Sequence, residues 1–228
     1  MDKPIAVITG ASRGIGRATA LRLAERYDIV AVARTATDLE TLAEEIGVAG
    51  GRCTPVAVDL RDGAGIARAL GSVDAEVLVN NAGLGIIKPL LDLGADEWHQ
   101  QVDVNLNALF HVTKALLPKM IARGRGDVIN IGSIAGRSAF VGGSCYAATK
   151  WAVMAFSESL MLEVRDAGVR VSVIMPGGVD TNFSTSDRDS SWKLSAGEVA
   201  DAVWYNVSQP RDVLVHRLEI RAARSPKK

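Results

Sequence analysis

At 228 residues, 48% of them hydrophobic, the chain can fill one sizeable α/β core, and two full domains would be cramped. Its 26 basic residues balance its 26 acidic ones and lie scattered, so the basic surplus of a nucleic-acid binder is missing. Cys53 and Cys145 stand in no metal-ligand spacing, Met1-Asp2-Lys3-Pro4 opens no secretory signal, and no uncharged apolar run approaches the roughly 20 residues that span a bilayer. A cytoplasmic protein with neither a nucleic-acid nor a membrane partner is expected.

Short runs rich in valine and isoleucine alternate with longer helical patterns from end to end. The first strand, Ile5 to Thr9, runs directly into Thr9-Gly10-Ala11-Ser12-Arg13-Gly14-Ile15-Gly16, and a helix is expected from there through Tyr27. Glycines in a first strand-to-helix turn let the backbone approach a phosphate, and the helix N-terminus offers free N–H groups. The second strand, Ile29 to Ala33, leads into Arg34 and Thr35. Binding of NAD usually calls for an acidic residue here to accept from the ribose 2′-OH. Ala33 cannot accept, whereas Arg34, with Arg13 from the glycine loop, suits a 2′-phosphate. NADP(H) is therefore the expected cofactor.

Thr37 with Glu40 reads as a capping box opening the next helix. Further strands are expected at Thr54 to Val58, followed by Asp59 and Leu60, at Val77 to Asn80, at Val128 to Ile131 and at Val169 to Met175. Gly168 sits where a helix end favours a left-handed residue. Ser133 follows strand five at the carboxyl end, where such sheets bind ligands. Tyr146 and Lys150 stand four apart in a helix expected to run to Ala167, which puts them on one face about 5–6 Å apart at Cβ. A tyrosine titrates near pH 10, and a neighbouring ammonium is expected to pull that value toward the working range. The irregular stretch Gly177 to Leu194 reads as a substrate loop. Ser195 with Glu198 caps a last helix, and Val213 to Glu219 is the last strand. Strands buried on both faces and alternating with helices imply a Rossmann-like, doubly wound sheet of about seven mostly parallel strands in one domain over 1–228.

These motifs together resemble the short-chain dehydrogenase/reductase family in its single-domain branch. Thr9 to Gly16 matches its Thr-Gly-x-x-x-Gly-x-Gly, and Asn80, Asn81, Ala82 and Gly83 match Asn-Asn-Ala-Gly. Tyr146 to Lys150 matches Tyr-x-x-x-Lys, with Ser133 at the family's serine, Asn105 at its asparagine, and Pro176-Gly177 at the Pro-Gly after strand six. The resemblance implies a hydride moved between NADP(H) and a carbonyl/alcohol pair, with Tyr146 as acid/base and Ser133 holding the substrate oxygen. Lys150 would lower the tyrosine pKa and bind the nicotinamide ribose, and Asn105 would hold a water linking Lys150 to solvent. Asp59 resembles the family's adenine-contacting aspartate. Asn81 and Gly83 would support the cofactor, and Thr181, with Val179, would lie by the carboxamide.

Leu84, Ile134, Phe140, Val141, Gly178 and Phe183 are expected around an apolar substrate pocket, with Arg137 or Arg188 as candidate carboxylate contacts. His99 and Asp103 have helical spacing but no evident third ligand, so no metal is expected. His111 and His216 read as packing or surface residues, and Cys145 as a small apolar neighbour of the pocket. Segments Tyr146 to Phe156 and Val102 to Ile121 are apolar nearly all round, and in the resembled family such helices pair subunits, so a homodimer or homotetramer is expected. A 3-oxoacyl carrier-protein reductase and a non-catalytic NADP(H)-sensing protein are the rival readings. Against the first, Leu84-Gly85-Ile86-Ile87 stands where such reductases tend to read Ile-Thr-Arg-Asp. A nucleotide-sugar epimerase is disfavoured because only about fifty residues follow Pro176.

Overall fold

The computed structural model describes residues 3–181 and 192–224. Seven strands form one parallel sheet in the order β3-β2-β1-β4-β5-β6-β7. They are β1 (Ile5–Thr9), β2 (Asp28–Ala33), β3 (Cys53–Ala57), β4 (Ala75–Asn80), β5 (Gly126–Ile131), β6 (Val169–Pro176) and β7 (Arg217–Ile220). Alternate side chains of each strand enter opposite layers, which is why the runs are apolar throughout. Ala6 and Ile8 of β1 face the layer of α1 (Gly14–Leu23), α2 (Ala36–Val48) and α7 (Ala196–Val207). Val7 faces the opposite layer, of α3 (Gly63–Leu70), α5 (Ala108–Arg123) and α6 (Ser144–Val164). The short α4 (Ala95–Val102) leads into a π-helical turn, Asp103–Asn107, ahead of α5. Strand order reverses between β1 and β4, so the carboxyl ends of those two strands flank the crevice where doubly wound sheets bind ligands.

The edge strand β3 carries Pro55, which an edge tolerates because one side of its backbone has no ladder to complete. Ser195 caps α7 as expected: its hydroxyl accepts from Glu198 N at 3.2 Å, and the Glu198 carboxylate accepts from Ser195 N at 2.6 Å. Gly168 holds φ +75° at the end of the turn that follows α6.

Three local expectations are corrected. The first helix ends at Leu23, and Tyr27 is reached by a turn in which its N–H bonds the Leu23 carbonyl. Thr37 is not a cap, since α2 begins one residue earlier at Ala36 with extended Thr35 before it. The last strand starts at Arg217, because the carbonyls of Val213 and Val215 are taken by the side chains of Arg170 and Asn206 instead of by the sheet.

Arg170 and Asp127 form a buried ion pair across β5 and β6 at 2.6 Å, with Arg211 on the second carboxylate oxygen at 2.9 Å. The Arg170 guanidinium also donates to the carbonyls of Gln209, Pro210 and Val213, tying the segment before β7 to the amino end of the sheet. No described helix is long and apolar enough to cross a membrane.

Candidate active site

A cleft of about 1100 Å³ opens over the carboxyl ends of the strands. The glycine loop forms its floor. Gly10 turns with φ +66°, and a Cβ on Gly16 would stand 2.2 Å from the Gly10 carbonyl oxygen, so only glycine lets α1 start so close to the turn. Thr9 and Asn81 lock this loop to the end of β4. The Thr9 hydroxyl oxygen accepts from the N–H groups of Asn81 and Ala82, each at 3.0 Å, and the Asn81 amide donates to the Thr9 carbonyl at 2.9 Å. No side chain caps the start of α1, which leaves its first N–H groups for a phosphate.

Nearly all expected cofactor residues line this one cleft: Gly10, Ser12, Arg13, Gly14 and Ile15 from the loop, Arg34 and Thr35 after β2, and Asp59 and Leu60 after β3. Asn81, Ala82 and Gly83 follow β4, and Pro176, Gly177, Val179 and Thr181 follow β6. Gly16 does not reach the cleft; it packs the helix onto the turn. Asp59 is engaged by Arg61, whose guanidinium pairs with it at 2.6 Å and holds its pKa down to about 2. Arg61 and Asp38 also line the cleft, two residues that no sequence motif singled out.

At the other end, α6 presents Tyr146 and Lys150, and Ser133 follows β5. Ser133 caps a short 3₁₀ turn, accepting from Ala135 N at 3.1 Å, and hydrogen-bonds Tyr146. Lys150 is 5% exposed, donates to the Ile131 carbonyl at 2.9 Å, and stands 5.9 Å from the centre of the Tyr146 ring. Burial lowers the Lys150 pKa to about 8. It also raises that of Tyr146, while the Ser133 hydrogen bond acts the other way. The expected lowering of the tyrosine by the lysine is therefore not what this geometry gives. The ammonium is turned to the Ile131 carbonyl, and desolvation is the largest influence on the phenol.

Asn105 does not reach the cleft either. In the π-helical turn its amide donates to the Leu84 carbonyl and the Thr149 hydroxyl and accepts from Leu84 N, pinning the strand-four loop to α6. Thr149 also donates to the Tyr146 carbonyl.

Leu84, Ile134, Phe140 and Gly178 line the expected pocket, the Phe140 ring meeting that of Tyr146 edge-on at 6.5 Å. Val141 is 96% exposed and turned away, and Arg137 leaves the pocket to pair with Glu219. Lys193 lines the cleft instead, set beside Gly178 by a bridge between Val179 and Leu194. Phe183 and Arg188, with most of the expected substrate loop, lie outside the described residues, as do Met1-Asp2 and Lys227-Lys228. Among the described residues no group of three His, Cys, Asp or Glu side chains stands together to hold a metal.

A family model for short chain dehydrogenases matches residues 4–192. The chain belongs to the short-chain dehydrogenase family. Within that family it is 33% identical to sulfoacetaldehyde reductase 2 of Chromohalobacter salexigens, over 96% of this chain and 94% of that protein. It is also 33% identical to an NADP-dependent 3-hydroxy acid dehydrogenase of Salmonella typhi, over 95% of this chain and 94% of that protein. The crystal structure of an alcohol dehydrogenase from the archaeon Thermococcus sibiricus, complexed with 5-hydroxy-NADP, superposes with a TM-score of 0.91 at 32% identity, covering 100% of both chains. Fold and family place this short-chain dehydrogenase among oxidoreductases.

Proposed function

We propose that this short-chain dehydrogenase, acting as one domain over 1–228, is an NADP(H)-dependent carbonyl reductase and alcohol dehydrogenase for small to medium substrates. One observation carries the reading. The Tyr146 hydroxyl, hydrogen-bonded to Ser133 and backed by the buried Lys150, stands in the same cleft as the glycine loop.

The residues fit the cofactor. Gly10 and Gly14 keep the loop low, and the start of α1 offers N–H groups to a diphosphate. Arg13 and Arg34 line the end of the cleft where Ala33 takes the place of an acid, which supports a 2′-phosphate. The names of the NADP-dependent relative and the NADP-bound structure agree. The nicotinamide, when bound, supplies or accepts the hydride.

Tyr146 gives its proton to the carbonyl oxygen in reduction and takes it back in oxidation. At neutral pH it carries the proton that reduction needs, and burial, which raises its pKa, keeps it in that form. Ser133 hydrogen-bonds the same oxygen and stabilises the charge that develops there. Lys150 holds a positive charge behind the tyrosine and would bind the nicotinamide ribose.

Leu84, Ile87, Ile134 and Phe140 make the substrate end largely apolar, with Lys193 at its edge. Two relatives are named for a sulfonate-bearing aldehyde and for 3-hydroxy acids, which supports short carbonyl compounds with an acidic group. Phe110 and Trp151 leave aromatic surface exposed on α5 and α6, at 45% and 52%, which supports a homodimer or homotetramer pairing these helices. Cytoplasmic residence follows the same reading.

The decisive test is NADPH oxidation across a panel of ketones, aldehydes, 3-oxo acids and quinones. Turnover of at least one class supports the reading. Tight NADPH binding without turnover of any of them would leave the non-catalytic sensor in its place.

A further inference from the structure

Cations are unevenly committed along the cleft. Arg13, Arg34 and Arg61 line the end formed by the glycine loop and the segments after β2 and β3. At the opposite end Lys150 is buried and donates to the Ile131 carbonyl. Two cations flanking that end are neutralised, Arg137 by Glu219 and Lys88 by Glu97. Lys193 lines the cleft too, and among the described residues it has neither an ion pair nor a hydrogen bond.

The lysine is nonetheless built into the wall. Leu194 N donates to the Gly178 carbonyl at 2.9 Å and Asp180 N to the Leu194 carbonyl at 2.7 Å, which closes a parallel bridge between Val179 and Leu194. Neighbours in an extended segment point to opposite sides. Leu194 is buried, so the half-buried Lys193 is turned the other way, to the cleft. Gly178 makes room for it. A Cβ there would stand 3.6 Å from Lys193 Cγ and 2.9 Å from the Trp192 ring, so the lysine stem lies along bare backbone. A side chain placed in this way loses less freedom on binding a ligand than one on open surface.

The reacting end is next to it in the fold. The β5–β6 ladder ends with Ile131 beside Ile174. Ser133 follows two residues later on one strand, and Gly178 four residues later on the other. Lys193 and the Ser133–Tyr146 pair therefore border the same part of the cleft. Leu84, Ile134 and Phe140 bring no charge to it, and Asp180, on the lysine's wall, is exposed to solvent.

We infer that Lys193 is a specificity-determining residue, which receives the carboxylate or sulfonate of a short carbonyl substrate whose oxygen is held by Tyr146 and Ser133. This rests on the carbonyl-reductase reading above and adds which side chain selects the substrate. The ammonium, a compact point charge, takes either anion. An anionic group brought into this largely apolar end gives up water, and without the lysine nothing charged replaces it, so Lys193 acts on substrate binding and leaves the proton transfer alone.

The test compares acetoacetate with methyl acetoacetate, one carbon skeleton with and without the charge, on the full chain. Lys193→Met keeps the stem and removes the ammonium. It should raise KM for acetoacetate by about tenfold or more, while kcat, KM for the ester and NADPH affinity change by less than about twofold. Lys193→Arg restores the charge and should recover most of the acetoacetate KM. A second readout needs no turnover: acetoacetate added to the protein saturated with NADP+, which has no hydride to give, should bind about tenfold more weakly to Lys193→Met by calorimetry. Unchanged KM and affinity for acetoacetate in that variant overturn the assignment, as does an equal loss for acid and ester. A loss of NADPH affinity gives the lysine to the cofactor's phosphates and overturns it too. Turnover of neither compound, with the binding difference intact, sinks the reductase reading and leaves the anion site standing.

Discussion

The Lys150 ammonium donates to the carbonyl of Ile131, the last residue of β5, at 2.9 Å. One hydrogen bond thus ties the Tyr-x-x-x-Lys helix to the strand that delivers Ser133 two residues later. It also buries a cation, and that has a consequence for stability. A lysine titrates near 10.4 in an unfolded chain and at about 8 here. Between those values the unfolded state binds more protons, so stability rises with pH through that window, and the full cost of the buried charge is felt below pH 8. Lys150→Met should therefore unfold at a higher temperature than the wild type at pH 7. Its advantage should shrink between pH 8 and pH 10.4, as followed by thermal melts across that range.

Tyr146→Phe removes the acid/base hydroxyl and leaves the cleft walls in place. Its kcat should fall by about 10³-fold or more, while the dissociation constant for NADPH, read from cofactor fluorescence, changes by only a few-fold. In the wild type the raised tyrosine pKa sets the direction of the pH profile. Carbonyl reduction should persist through neutral pH, and alcohol oxidation, which needs the phenolate as base, should climb as the solution becomes alkaline. An oxidation rate that fell over that range would contradict the assignment.

Cofactor choice is expected to follow the end of β2. The wild type should favour NADPH over NADH in kcat/KM by at least about tenfold, since charge-assisted hydrogen bonds to a phosphate are worth roughly 1.5–3 kcal/mol. Ala33→Asp with Arg34→Ala should reverse the order by giving the ribose 2′-OH an acceptor. Steady-state kinetics with both cofactors reads the outcome directly.

Far from the cleft, Asp127 holds Arg170 and Arg211. Asp127→Asn keeps the volume and leaves the almost fully buried Arg170 without its counter-charge. Losing one partner of a buried pair costs about 3–5 kcal/mol, so the midpoint of urea unfolding should drop sharply, with cofactor affinity at the other end of the sheet little changed in the folded protein.

Much of the site was legible because its signals are local. The Tyr146–Lys150 spacing, the glycines at Gly10 and Gly14 and the Ser195–Glu198 box each depend on residues within a few positions of one another. Errors arose where a distant partner intervened. Arg137 looks like a free cation in sequence and is neutralised by Glu219, 82 positions away. Val213 to Val215 look like strand, and the Arg170 and Asn206 side chains draw their carbonyls out of the ladder. Arg61 and Lys193 carry no motif, so only their place on the cleft wall reveals them.

What the amino-acid order determined by itself was the alternation of apolar strands and helices, the phosphate-ready turn, and the pairing of a phenol with an amine one helical turn away. Those rest on backbone periodicity and side-chain reach over a few residues. The tertiary structure alone decided how deeply Lys150 and Tyr146 are each desolvated, and that Ser133 meets the tyrosine. Burial and buried hydrogen-bond partners are properties of chain segments brought together from far apart, and no short stretch of sequence contains them.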